Sequence, residues 1–266
     1  MNRVAAPQTP FAKPASPSKF DPSAPATSTT FYSPHVSPTA PARSRRPISK
    51  AAPGVALFAP IHYERRYAYP LLIWLHGAGS SERELRQLMP LVSVRNYVGA
   101  AARGAAMEGP ANARFTWRQS AADVDAAVES VSECIDHATR RYNIHPDRIF
   151  VAGHGAGGTM ALRVALGFSL PLAGAVSLGG PLPRGNCPLA RVNEARRLPL
   201  LMMSCRGSEA YPPHRVAEDL RLLHAAGCQL DIREYLCGDE LFTDMFADLD
   251  QWLMERVCAA PATAPA

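Results

Sequence analysis

RIFVAGHGAGGTMALRVAL, residues 148–166, runs from an apolar, strand-like segment through a glycine-rich turn into an amphipathic helix. The switch from a continuous apolar run to 3-to-4 spacing within six residues marks a β-turn-α unit. Units of the same kind flank it. VALFAP (55–60), YPLLIWLH (69–76), NYVGAAARG (96–104), LAGAVSLGG (172–180), LPLLMMSC (198–205) and QLDIREYLC (229–237) read as strands. SAADVDAAVESVSECIDHATRR (120–141) predicts a helix, with Val124, Val128, Val131 and Ile135 on its apolar face, a Ser120–Asp123 capping box and Arg140 and Arg141 in the last turn. Further helices are expected from Gly158, at about 214–226 and at about 242–257. Repeated β-then-α order predicts an α/β fold, a mainly parallel sheet with helices on both faces.

Composition sets the outer bounds. The chain has 266 residues and a net charge of +5, but residues 1–50 hold seven Lys/Arg against one acid, leaving 21 basic and 22 acidic residues beyond them. The folded part therefore has no basic bias, which argues against nucleic-acid binding. Residues 1–53 contain eleven of the 25 prolines, with much Ala, Ser and Thr, and predict a disordered basic tail. The domain is expected at 54–258, with a frayed end at 259–266. No signal-peptide core or 18-residue apolar run is visible, so a cytoplasmic location without a membrane span is expected. Six cysteines without C-x-x-C pairing favour reduced, mostly buried thiols, and neither cofactor nor metal is expected.

The turn itself can be read in two ways. Gly153, Gly155 and Gly158 satisfy G-x-G-x-x-G between a strand and a helix, the fingerprint of a nucleotide-binding module. That reading expects an acidic residue at the end of the next strand to hold a ribose hydroxyl, yet no Asp or Glu occurs between residues 148 and 193. The alternative is a nucleophile elbow, where small residues stand two before and two after the central position because strand and helix backbones nearly touch. Gly153 and Gly157 supply them.

On these residues a resemblance becomes specific. NIHPDRIFVAGHGAGGTMALRVAL (143–166) resembles the strand–elbow–helix region of the phospholipase/carboxylesterase family, which includes acyl-protein thioesterases and has the α/β-hydrolase fold. LLIWLHGAGSSE (71–82) is similar to its oxyanion loop, LPLLMMSCRGSEAYPP (198–213) to its acid-bearing strand and loop, and YLCGDELFTDMFADLDQWLMERV (235–257) to its histidine loop and last helix. The resemblance spans roughly residues 55–257 and implies cleavage of carboxylic esters or thioesters by a Ser–His–acid triad.

The residues depart from that pattern. Gly155 stands at the nucleophile position and Asp239 at the histidine position, and the last histidine in the chain is His224. The acid position falls on Glu209 or Ala210. Acyl transfer needs a nucleophile, a base and a group orienting the base, so the expectation is an impaired pseudohydrolase. It would retain a pocket for a small acyl or carboxylate ligand or a protein partner. Backbone N–H groups of Gly77, Ala78 and Ala156 would form an oxyanion-like mouth, with His76, His154, Cys205 and Cys237 as candidate pocket residues. His76 is expected to be mainly a loop-fixing histidine. Cys205 and Cys237 could form a disulfide or, with Asp239, a metal site, although reduced thiols are the default. Two alternatives remain open: an active ester hydrolase using Ser80, Ser81 or Cys237, and nucleotide binding at 153–158.

Overall fold

The computed structural model describes residues 54–108, 114–185 and 187–259. The expected tail at 1–53 and nearly all of the frayed end lie outside the described residues. The elements follow in the order β1 (Val55–Phe58), β2 (Tyr69–Leu75), a 3-10 turn (Glu82–Glu84) leading into α1 (Leu85–Val92), β3 (Val98–Ala102), β4 (Ala105–Ala106) and β5 (Phe115–Thr116). They continue with α2 (Ala121–Arg141), β6 (Ile144–His154), α3 (Ala156–Gly167), β7 (Gly174–Leu178), α4 (Val192–Ala195), β8 (Leu200–Cys205), α5 (Pro213–Ala225), β9 (Leu230–Tyr235) and α6 (Thr243–Cys258).

Seven strands form one sheet in the order β1-β3-β2-β6-β7-β8-β9. β1 runs antiparallel to β3 and every other neighbouring pair is parallel. The continuous apolar runs have a direct cause. On β2, Leu71, Ile73 and Leu75 enter a core shared with α2, α3 and α5, whereas Leu72 and Trp74 enter a second core under α1 and α6. Helices cover both faces, so both alternating sets must be apolar. This is the α/β-hydrolase arrangement, and it places the turn after β6 at the carboxyl edge of the sheet, where open α/β sheets hold their sites.

Several boundaries differ from the sequence reading for local reasons. The Ser120 hydroxyl does accept from the Asp123 N–H at the start of α2. The buried stripe of that helix, however, is Val124, Ala127, Val131, Cys134 and Ala138, and Val128 and Ile135 sit at its margin. Small residues let α2 lie close against the sheet, so hydrophobicity alone misplaced the stripe. α3 begins at Ala156, two residues earlier than expected, because Gly155 turns the chain sharply enough for the helix to start at once. Sequence periodicity missed α1, which is short and carries Pro90 inside it, and the two-residue ribbon of β4 and β5.

Candidate functional site

The turn after β6 is built around backbone proximity. A Cβ at Gly157 would lie 2.1 Å from the Leu75 carbonyl oxygen, and one at Gly153 would lie 2.4 Å from the Gly157 carbonyl carbon. A Cβ at Gly158 would meet the Ser177 hydroxyl oxygen at 2.5 Å. These glycines are explained by the packing of strand against helix. Gly155 is different. Its φ of +51° is a conformation side chains rarely adopt, yet a Cβ there would meet nothing within 4 Å. The Gly155 N–H donates to the Leu178 carbonyl at 2.8 Å, and its own carbonyl accepts from the Thr159 N–H at 3.0 Å. The turn therefore has the backbone of a presented side chain, and open space where that side chain would be.

That space belongs to a cavity of about 220 Å³ whose wall includes Ala78, His154, Ala156, Leu178, Cys205, Ser208, Ala210 and the Gly238–Leu241 segment. Its chemistry is set by two loops. Following β8, the buried Ser208 hydroxyl donates to Asp239 Oδ1 and itself accepts from the Tyr211 N–H at 2.8 Å. The Glu209 N–H reaches Asp239 Oδ2 at 3.3 Å. The Ser208 hydroxyl, assisted by the Glu209 and Ala210 backbone and the nearby His154, holds the Asp239 carboxyl below its ordinary range. Asp239 is thus an ionised acceptor and cannot act as a base of imidazole strength. His154 Nε2 donates to the Asp239 main-chain carbonyl at 3.1 Å, and the missing Cβ of Gly77 makes room for its ring.

The predicted site residues divide clearly. Gly155, Ala78, Ala156, His154, Cys205 and Asp239 share the cavity. Gly77 does not line it; its carbonyl accepts from the Ser80 N–H at 3.2 Å and from His76. Glu209 is exposed and offers the site only its backbone N–H, while Ala210 is the residue on the cavity wall. Glu209 as an acid facing the pocket is therefore corrected.

His76 is fully buried behind the loop rather than in the pocket. Its Nδ1–H donates to the Gly77 carbonyl at 2.8 Å and its Nε2 accepts from the Gly104 N–H at 3.0 Å, which defines one neutral tautomer. Burial lowers its pKa and favours that neutral form. Ser80 bridges to Phe115 and Ser81 caps the 3-10 turn, and neither lines the cavity.

The default of reduced, mostly buried cysteines is overturned. Cys205 and Cys237 form a disulfide. Two of the four free thiols, Cys187 and Cys258, are exposed, whereas burial pushes the Cys134 thiol up to about 12. With both sulfurs in one bond, Cys237 is not a free nucleophile and the pair cannot ligate a metal as thiolates. β8 and β9 are neighbours in register, Cys205 opposite Tyr235, which brings position 237 within reach. Sequence reasoning also passed over Ser208, because only its bond to a residue 31 positions away reveals its part.

Comparison with known proteins agrees with the architecture. The chain is an α/β-hydrolase-fold protein. The phospholipase/carboxylesterase family model matches residues 111–235, just under half of the chain, a span that includes Gly155 and Ala210 but stops short of Asp239. NocK of Nocardia uniformis subsp. tsuyamanensis, whose name assigns it provisionally to the esterases, is 32% identical over 138 residues, half of this chain and 38% of that relative. The chain thus matches well under half the length of that relative. The Bacillus cereus carboxylesterase structure aligns with a TM-score of 0.61 at 18% identity, over 76% of this chain and 93% of that one. Zea mays acyl-protein thioesterase 2 aligns at 0.60 and 17%, over 76% and 98%. Among the described residues no helix is long and apolar enough to cross a membrane.

Proposed function

We propose that this chain is a non-hydrolytic family member that uses the cavity beside Gly155 to bind a small acyl or carboxylate compound. The observation that carries the reading is Gly155 itself: an elbow backbone at φ +51°, with open space in place of a nucleophile. Two neighbouring features support it. The residue facing that space from the far loop is Asp239, bonded to Ser208, and the wall residue between them is Ala210. Aligned on the family, these three would occupy the nucleophile, histidine and acid positions, with Ala210 rather than Glu209 at the last. A carboxylate whose pKa is lowered further is a poor acceptor for a hydroxyl proton, and there is no hydroxyl at the turn to deprotonate.

What the cavity retains is a mainly apolar lining, from Leu178, Leu241 and Met245, beside the start of the twelve-residue α3 at Ala156. An acyl chain would occupy the lining, with its polar end at the Ala78 and Ala156 backbone. Neither alternative gains an observation in its favour. The disulfide removes Cys237 as a free thiol, Ser80 and Ser81 lie off the cavity, and Gly153 and Gly158 are accounted for by packing.

The test pairs chemistry with binding. The purified chain is expected to give no turnover of p-nitrophenyl butyrate and no labelling by a fluorophosphonate. Butyrate or octanoate should raise its melting temperature, as any ligand preferring the native state must. Labelling at a serine, with turnover lost on Ser80→Ala or Ser81→Ala, would overturn the reading.

A further inference from the structure

The disulfide does little that the sheet does not already do. Cys205 is the last residue of β8, and six consecutive register pairs, Leu200 with Leu230 through Cys205 with Tyr235, already hold β8 to β9. The Arg206 N–H donates to the Tyr235 carbonyl at 2.9 Å, and the Gly207 N–H to the Cys237 carbonyl at 2.9 Å. What the bond adds is a tether on the segment beyond β9. That segment, Gly238 to Leu241, supplies four residues of the cavity wall. Its remaining ties are the side-chain bonds of Asp239 to the Ser208 hydroxyl and Glu209 N–H, the contact of His154 with the Asp239 carbonyl, and the packing of Leu241 against the core. The two cysteines also differ in exposure: Cys205 is buried at 5% exposure and lines the cavity, whereas Cys237 is a half-buried residue beyond β9.

We infer that the Cys205–Cys237 disulfide is a redox lock on the pocket, opened by dithiol reductants and closed by their oxidised forms. The inference rests on the pocket reading above only for its consequence, the change in what the cavity can hold. A thiolate of the dithiol attacks the sulfur of Cys237, the more exposed of the two residues; the bond between the two cysteines breaks, and its electron pair leaves on Cys205, which takes up a proton. The second thiol of the reductant then resolves the mixed disulfide. The chain gains two thiols and the reductant becomes a disulfide. The Gly238–Leu241 wall is left on hydrogen bonds and on the packing of Leu241 against the core, and a free thiol at Cys205 faces the cavity. The β8–β9 pairing persists because its hydrogen bonds do not involve sulfur.

Hydrogen exchange followed by mass spectrometry on the full chain tests this, oxidised against dithiothreitol-reduced. Peptides covering 236–242 should exchange about tenfold faster after reduction while β6, β7 and β8 stay protected, as a local opening requires. Iodoacetamide should modify Cys205 only in the reduced protein. Cys237→Ser should reproduce the reduced pattern without reductant; were that variant unfolded, the reduced wild-type chain would still decide. Absence of a linked Cys205–Cys237 peptide from the oxidised chain, unchanged exchange at 236–242, or accelerated exchange across the whole sheet would each overturn the lock. Ester turnover by the chain would sink the pocket reading and leave this exchange pattern unaffected.

Discussion

The turn at 153–158 and the loop at 236–242 face one another across a single cavity and are held in opposite ways. The turn is held by backbone: carbonyls of Leu75 and Gly157 lie where Cβ atoms at Gly157 and Gly153 would be, so its shape survives whatever stands at position 155. The loop is held by side chains, through Ser208 on Asp239, His154 on its carbonyl and the disulfide at Cys237. A site whose geometry resides in close-packed backbone can lose its reactive side chain and keep its form. A loop held by side chains keeps its form only through the partners it meets, and here a carboxylate accepting from Ser208 takes that part.

The sharpest way to break this comparison is to crowd the turn. Gly157→Ala places a methyl 2.1 Å from a carbonyl oxygen that cannot move without shifting β2. It should cost about 3 kcal/mol or more in urea denaturation. Gly155→Ser, two residues away, meets no neighbour and bears only the cost of a side chain at positive φ, about 1–3 kcal/mol. Equal costs at the two positions would mean that the turn is not the backbone-locked element described.

On the loop the effects are smaller. Asp239→Asn should lower stability by about 1 kcal/mol or less, since the group is largely exposed and its bonds are solvent-screened. Its effect should also depend on pH. Because the folded-state pKa of Asp239 is depressed, the stabilisation is fully present above the unfolded carboxylate range, near pH ~4, and is lost as pH falls through the lower folded value. Wild type and Asp239→Asn should therefore converge in melting temperature as pH is lowered below that range, and a constant gap would contradict the assigned cause.

Much of this was legible in the sequence because it rests on local rules. The apolar runs at 69–76 and 148–153, the capping residue Ser120 and the glycine spacing at 153–157 each encode their structure within a few residues. The site was only half legible. Gly155 and Asp239 could be located by resemblance, and the structure puts both on one cavity. That Ala210 rather than Glu209 faces the cavity depends on how one loop turns after β8. The disulfide depends on which strands become neighbours, and the Ser208–Asp239 bond on two loops meeting across 31 residues. His76 reads as a chemical candidate because an imidazole is versatile; only its buried bonds to Gly77 and Gly104 assign it to the scaffold.

The proposed function takes Gly155 and Asp239 as the positions at which an attacking and a proton-shuttling side chain would stand. Its most direct test is to supply those side chains: p-nitrophenyl butyrate hydrolysis measured side by side for the unmodified chain and for Gly155→Ser/Ala210→Asp/Asp239→His. The account predicts no enzymatic rate from the first and a slow, fluorophosphonate-sensitive rate from the second. Rapid hydrolysis by the unmodified chain, or a folded triple variant that neither turns over ester nor reacts with the phosphonate, would contradict it.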